Sequence, residues 1–249
     1  MSGHSKWSKI KRAKGANDAK RGRMWSKLAR RVIVAAKAGG GNPDDNLNLR
    51  YAIDDAKAAN MPKDTIEKAI KKGTGELGAA DYEGVVYEGY GPGGVAYLVE
   101  CLTDNRNRTA PEIRRIFERA GGQLGATHCV AWMFEQKGTF EISTDAADED
   151  TLMEIALEAG ADDVTREGDA FEIVCQVTAF SAVRQALADR SIETLSAEIA
   201  HIPTNTITID RDNAGKVIAL LEAFEEQDDV QKVYANFDAP EEVLAELED

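Results

Sequence analysis

Three cysteines and three histidines are all that this 249-residue chain offers for disulfide or metal chemistry. Cys101, Cys129 and Cys175 lie far apart, form no CxxC pair and sit among strand-like apolar neighbours, so buried free thiols are expected. His4, His128 and His201 stand at no ligand spacing from one another or from a cysteine, which leaves no expected zinc site and no implied cofactor. Apolar runs long enough to cross a membrane are absent, and the opening MSGHSKWSKIKRAKG lacks the hydrophobic stretch of a secretory signal. The expected location is therefore cytoplasmic, with no membrane partner. No serine or cysteine pairs convincingly with a histidine and an acid. The glycine-rich run Gly89–Gly94 (GYGPGG) lacks the Lys-Ser/Thr and the following helix of a phosphate-binding P-loop, and it reads as a tight connection between strands. Neither an enzyme nor a small-molecule substrate is implied. A nuclease, the enzymatic alternative, would need a metal or nucleophile set that the sequence does not display.

Positive charge is scarce overall but concentrated. The net charge is −14, yet residues 1–72 hold 18 Lys or Arg against 7 Asp or Glu, and the remaining 177 residues hold 12 against 37. A basic segment on an acidic protein is the footprint of a polyanion partner, because phosphates bound by Lys and Arg release counterions. Within residues 4–23, Lys6, Lys9, Lys11, Arg12, Lys14, Lys20, Arg21 and Arg23 face one acid, Asp18, and almost nothing apolar. Such a stretch cannot bury a core and reads as an arm that orders on a phosphate-bearing surface. Trp7, between Lys6 and Lys9, is placed to stack on an exposed base.

The arm ends where an apolar stripe begins. Trp25, Leu28, Ala29, Val32, Ile33 and Ala36 recur at helical spacing, flanked by the candidate phosphate contacts Lys27, Arg30 and Arg31. Gly39–Gly41 end this helix. A second helix carries Leu49, Ala52, Ile53 and Ala56. A third follows Pro62, with Ile66, Ala69 and Ile70 inside and Lys63, Lys68, Lys71 and Lys72 outside. These make a small three-helix domain, 1–80 with its arm.

From Tyr82 the period changes to that of strands. VVYEG and VAYLVECL predict a hairpin, Thr109 with Glu112 predicts a capping box opening a helix, and VAWMF (Val130–Phe134) predicts a strand. Residues 138–201 read strand, helix, strand, strand, helix, strand, the split βαβ order of ferredoxin-like domains. Residues 206–237 then supply a strand, helix and strand that complete the unit begun at Tyr82. The predicted fold class is α+β and multi-domain: three helices, then two ferredoxin-like-type α+β domains, one inserted in the other. The host occupies 81–136 and 205–249, and the insert 137–204.

A second cationic cluster interrupts the acidic part. In TDNRNRT (Thr103–Thr109), Arg106 and Arg108 sit between a strand end and a helix, and Arg114 and Arg115 follow on that helix. Two readings stay open: a phosphate contact at a helix N-terminus, or an Asx-type turn capped by Asp104 or Asn105 with the arginines paired to nearby acids. The acidic residues Glu241, Glu242, Glu246, Glu248 and Asp249 read either as a solvated face or as a competitor for the basic arm.

GHSKWSKIKRAKGANDAKRGRMWSKLAR, AIDDAKAANMPKDTIEKAIKKG, YEGYGPGGVAYLVECLTDNRNRT and GGQLG followed by WMFEQKG closely resemble the YebC/PmpR family along essentially the whole chain. That family includes the mitochondrial translational activator of cytochrome oxidase. The resemblance implies three domains and a non-enzymatic regulator of gene expression. Some members are described as promoter-binding transcriptional regulators. Others act on the ribosome, assisting translation through difficult stretches such as proline-rich ones. It implies a basic surface at Lys6, Lys9, Lys11, Arg12, Lys14, Lys20, Arg21 and Arg23, with Arg106 and Arg108 as a second contact. This chain carries Thr127, His128 and Cys129 where the family carries small residues. A ribosomal RNA or ribosome partner is favoured, since structured RNA suits such an arm. Promoter DNA, met by the three-helix domain as a helix-turn-helix, is the alternative.

Overall fold

A computed structural model describes residues 18–78 and 81–239, and the residues within them form two compact units. The first runs to Trp132 and resumes at Asn205; the second is Met133–Thr204.

The first unit opens with α1 (Asp18–Gly39), α2 (Leu47–Ala58) and α3 (Lys63–Gly73). α1 begins well before the apolar stripe, so Lys20, Arg21 and Arg23 are helical, and the part of the expected arm from Asp18 onward is not an arm. Ala, Lys, Arg and Met are good helix formers, and Arg21 lies over the Trp25 ring four residues on, 5.7 Å from its centroid. Residues 4–17, with Lys6, Trp7, Lys9, Lys11, Arg12 and Lys14, lie outside the described residues. Val32, Ile33 and Ala36 from α1, Leu49, Ala52, Ile53 and Ala56 from α2, and Ile66 and Ala69 from α3 form one core. Asn46 caps α2 by accepting the Leu49 N–H at 3.1 Å, and its amide donates to the carbonyls of Ala35 and Gly40, tying the α1–α2 connection to the helix it starts. α3 packs close on α1 at Gly73, where an added Cβ would meet the Ile33 carbonyl oxygen at 2.5 Å and Ala36 Cβ at 2.7 Å.

The α+β part of this unit has a four-stranded sheet in the order β3-β1-β2-β9, with β1 at Glu83–Tyr90, β2 at Ala96–Thr103, β3 at Gln123–Leu124 and β9 at Val230–Ala235. β1 and β2 are the expected antiparallel hairpin, Tyr90 opposite Ala96. Its connection is indeed a tight turn. Gly93 and Gly94 take φ of 72° and 75°, and the Gly91 N–H donates to the Val95 carbonyl at 2.8 Å. Helices α4 (Arg106–Arg119) and α7 (Arg211–Glu226) pack on one face of the sheet, where Tyr97, Phe117 and Phe224 meet edge-on around Val99, Ile113, Val217 and Leu221. β8 (Ile207–Thr208) and β10 (Phe237–Asp238) form a short parallel pair.

The second unit holds β4 (Phe134–Ser143), α5 (Glu149–Glu158), β5 (Ala161–Glu167), β6 (Ala170–Gln176), α6 (Phe180–Asp189) and β7 (Ser196–Pro203). Its sheet order is β5-β6-β4-β7, antiparallel throughout, which is the ferredoxin-like arrangement. Phe140 and Phe180 stack at 4.8 Å in its core. Among the described residues, no helix is long and apolar enough to cross a membrane.

Three local expectations are corrected. Val130–Met133 is not strand: Ala131–Met133 is a 3-10 turn and β4 starts at Phe134. Its backbone donors serve Glu88 instead of a ladder, as described below. Thr109 does not open α4. Asn105 is the cap, accepting the Arg108 N–H at 3.2 Å, and Thr109 is buried one turn in. Cys101 and Cys175 are buried thiols, with burial pushing the Cys101 thiol up to about 12, whereas Cys129 lies half-buried in a loop rather than among strand neighbours.

Candidate nucleic-acid interface

The cations singled out in the sequence meet three different fates. On α1, Arg23, Lys27 and Arg30 share one stripe at i, i+4 and i+7, opposite the buried stripe of Val32, Ile33 and Ala36. All three turn toward the C-terminal end of α7. Arg23 pairs with Glu226 at 3.8 Å, Lys27 donates to the Glu225 carbonyl at 2.7 Å, and Arg30 donates to the Asp228 carbonyl and pairs with Asp229 at 3.5 Å. Carbonyls left over at a helix end carry partial negative charge, which suits Lys and Arg there. Arg31 instead pairs with Asp55 of α2 at 2.9 Å, and Trp25 donates its indole N–H to the Ala59 carbonyl, so Trp25 is a packing residue of the helical domain.

Arg106 and Arg108 go to protein acids. Arg106 pairs with Glu83 at 2.8 Å, while Arg108 reaches Asp104 and Asp229, each at 2.9 Å. Of the two readings left open by the sequence, the capped turn with paired arginines describes this geometry.

Asp229 is the centre of the junction, its side chain 2% exposed. Its carboxylate also lies 2.7 Å from the Thr109 hydroxyl, which is 2.7 Å from the Thr103 hydroxyl, which accepts the Asn105 N–H at 2.9 Å. With one proton per hydroxyl, the chain runs Asn105 N–H to Thr103, Thr103 to Thr109 and Thr109 to the carboxylate. Burial alone would raise the Asp229 carboxyl, but hydrogen bonds from Arg108 and Thr109 and the charges of Arg108 and Arg30 bring it below the usual carboxylate range.

The third group has no ion-pair partner among the described residues. Arg114 and Arg115 are exposed on α4 and form no ion pair among the described residues, and Arg119, four residues beyond Arg115, joins them. On α3, Lys68, Lys71 and Lys72 are likewise exposed and unpaired among the described residues, while Lys63 pairs with Glu67 at 3.7 Å. Arg119 and the α3 lysines are additions to the sequence-based candidates. The signal for Arg119 is its i, i+4 spacing from Arg115; for the lysines it is their shared outer face on a short helix.

α2 and α3 are joined by four residues, Ala59–Pro62, with Asn60 at φ 54° making the turn. A compact helix-turn-helix connection has this form, with the lysine-bearing α3 as its second helix.

Residues 5–76 match the family model described as the TACO1/YebC protein N-terminal domain, and residues 82–237 match the one described as the TACO1/YebC second and third domain. The chain belongs to the TACO1/YebC family. Relatives of this family named probable transcriptional regulatory proteins include one from Desulforapulum autotrophicum, 54% identical over 243 residues, which span 98% of each chain. Another, from Dictyoglomus turgidum, is 53% identical over 99% of this chain and all of its own. A crystal structure of a conserved hypothetical protein from Aquifex aeolicus, 47% identical, superposes with a TM-score of 0.83 over 90% of this chain and 92% of that one. The family is thus shared with proteins named probable transcriptional regulatory proteins, and the α+β fold with the Aquifex aeolicus protein.

Proposed function

We propose that this protein is a non-enzymatic, nucleic-acid-binding regulator of gene expression that works in the cytoplasm by binding ribosomal RNA through its basic N-terminal region and assisting elongation through difficult, for instance proline-rich, sequences. The observation that carries it is the segregation of charge, 18 cations against 7 acids in residues 1–72 of an otherwise acidic chain. The exposed guanidinium groups of Arg114, Arg115 and Arg119, unpaired among the described residues, offer a second contact, spaced along α4, that suits the irregular phosphates of folded RNA.

A second reading rests on a specific observation. The four-residue α2–α3 connection and the exposed Lys68, Lys71 and Lys72, unpaired among the described residues, fit α3 as a major-groove helix on promoter DNA, and the names of the relatives favour transcription. Crosslinking in growing cells, followed by purification and sequencing of the attached RNA and DNA, separates the two. Crosslinks concentrated on ribosomal RNA are the expected result. Discrete promoter peaks with little ribosomal RNA would overturn it in favour of α3 and DNA.

A further inference from the structure

The cationic stripe of α1 is occupied, and its occupant is the protein itself. Arg23, Lys27 and Arg30 meet the Glu226 carboxylate, the carbonyls of Glu225 and Asp228, and the buried Asp229 carboxylate. These contacts with the end of α7 are polar; on its other side the Arg30 guanidinium lies 5.7 Å from the centroid of the Tyr82 ring, which packs against the helical core. The core of the helical domain and the core of the α+β part share no residue, and no apolar side chain of α1 belongs to the latter. Contacts built from charge and carbonyl dipoles can be exchanged for equivalent partners; the exposed Arg23–Glu226 pair weakens with salt, the shielded Arg30–Asp229 pair much less. Phosphate oxygens are such partners, presenting to lysine and arginine the same acceptor chemistry as the end of α7. The chain after α3 turns at Gly75 and Gly78, with φ of 87° and 90°, and is tied back to the helical domain by Thr74, which donates to the Lys71 carbonyl at 3.2 Å, and by the Lys37–Asp81 pair at 2.9 Å, contacts that travel with α1 and α3.

We infer that the C-terminal end of α7 is a built-in competitor for nucleic acid, closed on the Arg23–Lys27–Arg30 stripe of α1 in the free protein and displaced from it when a phosphate backbone binds. Glu225–Asp229 take this role among the described residues; Glu241, Glu242, Glu246, Glu248 and Asp249, the acidic residues singled out in the sequence, lie outside them. The device sharpens selectivity. A sparse or weak polyanion cannot recover what closure provides, whereas a dense one that engages the whole Arg23–Lys27–Arg30 stripe can. The inference rests on the nucleic-acid reading above.

The test uses the full chain with Arg23→Cys and Glu226→Cys in a Cys129→Ser background, leaving Cys101 and Cys175 buried. A cleavable bis-maleimide spanning the two new thiols locks the closed form. Its affinity for a structured RNA of random sequence, and for a duplex DNA, is read by fluorescence anisotropy before and after the tether is cut. The tethered form is expected to bind at least about tenfold more weakly, with recovery on cleavage. Equal binding of the tethered and cleaved forms to the nucleic acid would overturn this inference and leave the nucleic-acid reading standing. Failure of the cleaved form to bind either polymer would overturn both. Dyes at the same two positions, untethered, should separate as RNA saturates the protein; an unchanged transfer efficiency at saturation also sinks the inference.

Discussion

Asp229 shows at the residue scale how a site escapes sequence analysis. Thr109 with Glu112 has the spacing of a capping box, yet the Thr109 hydroxyl is directed at a carboxylate 120 residues along the chain. That partner cannot be seen from local spacing. Thr109→Val keeps the shape and removes the donor, leaving a buried carboxylate oxygen short of one hydrogen bond. We expect a loss of about 1–3 kcal/mol in urea unfolding, and a loss near zero would show the hydroxyl chain to be idle. The pH dependence follows from the same cluster. The Asp229 carboxyl is lower in the folded state than the ordinary unfolded value near about 4, so its stabilisation is complete above that value. It is lost as pH falls from there through the folded pKa. Arg108→Ala weakens the interactions that hold the carboxyl down, so the acid-unfolding midpoint followed by circular dichroism should move to higher pH. A midpoint that stays in place would contradict this assignment.

At the scale of elements, periodicity located the helices and most strands, because burial of one face imposes its period on the residues themselves. It misplaced the segments whose backbone is satisfied by a side chain from elsewhere. The loop through Thr127, His128 and Cys129 is the case in point. Buried Glu88 on β1 accepts the N–H groups of His128, Val130 and Ala131 at 2.7, 2.8 and 2.7 Å, and His128 takes φ 66° to fit. Donors committed to one carboxylate cannot form a strand ladder, which is why Val130–Met133 turns before β4 begins at Phe134. Trp132, 68% exposed, reports on this loop through its indole bond to the Cys129 carbonyl at 3.1 Å. Glu88→Gln places an amide N–H₂ against backbone donors. Faster exchange of these three amides and a shift in tryptophan emission are expected, and unchanged exchange would refute the clamp. Helix packing makes a parallel demand at Gly73. Gly73→Val should force α3 away from Ile33 and Ala36, lowering stability by about 1–3 kcal/mol in thermal melts followed by helical circular dichroism; an unaltered melt would mean that the α1–α3 contact yields freely.

For the whole molecule, association should be governed by salt. If roughly six phosphates are engaged, log affinity should fall with log salt at a slope of about −4 on single strands or −5 on duplex DNA, and a flat response would exclude the basic region as the binding surface. Replacing Arg114, Arg115 and Arg119 together with Ala should weaken binding on all sequences alike and reduce that slope, whereas altered sequence preference would mean that these side chains read bases. The sequence by itself determined the family resemblance, the order of elements and the polarity of charge, because motif residues, burial periods and charge density are properties of neighbouring positions. Only the tertiary structure decided which cations are free. Lys27 and Arg30 find carbonyls 198 residues away, Arg108 finds Asp229, and Arg114, Arg115 and Arg119 find nothing among the described residues. Pairing of charges depends on which distant segments the cores bring together, and no local pattern in the chain records that.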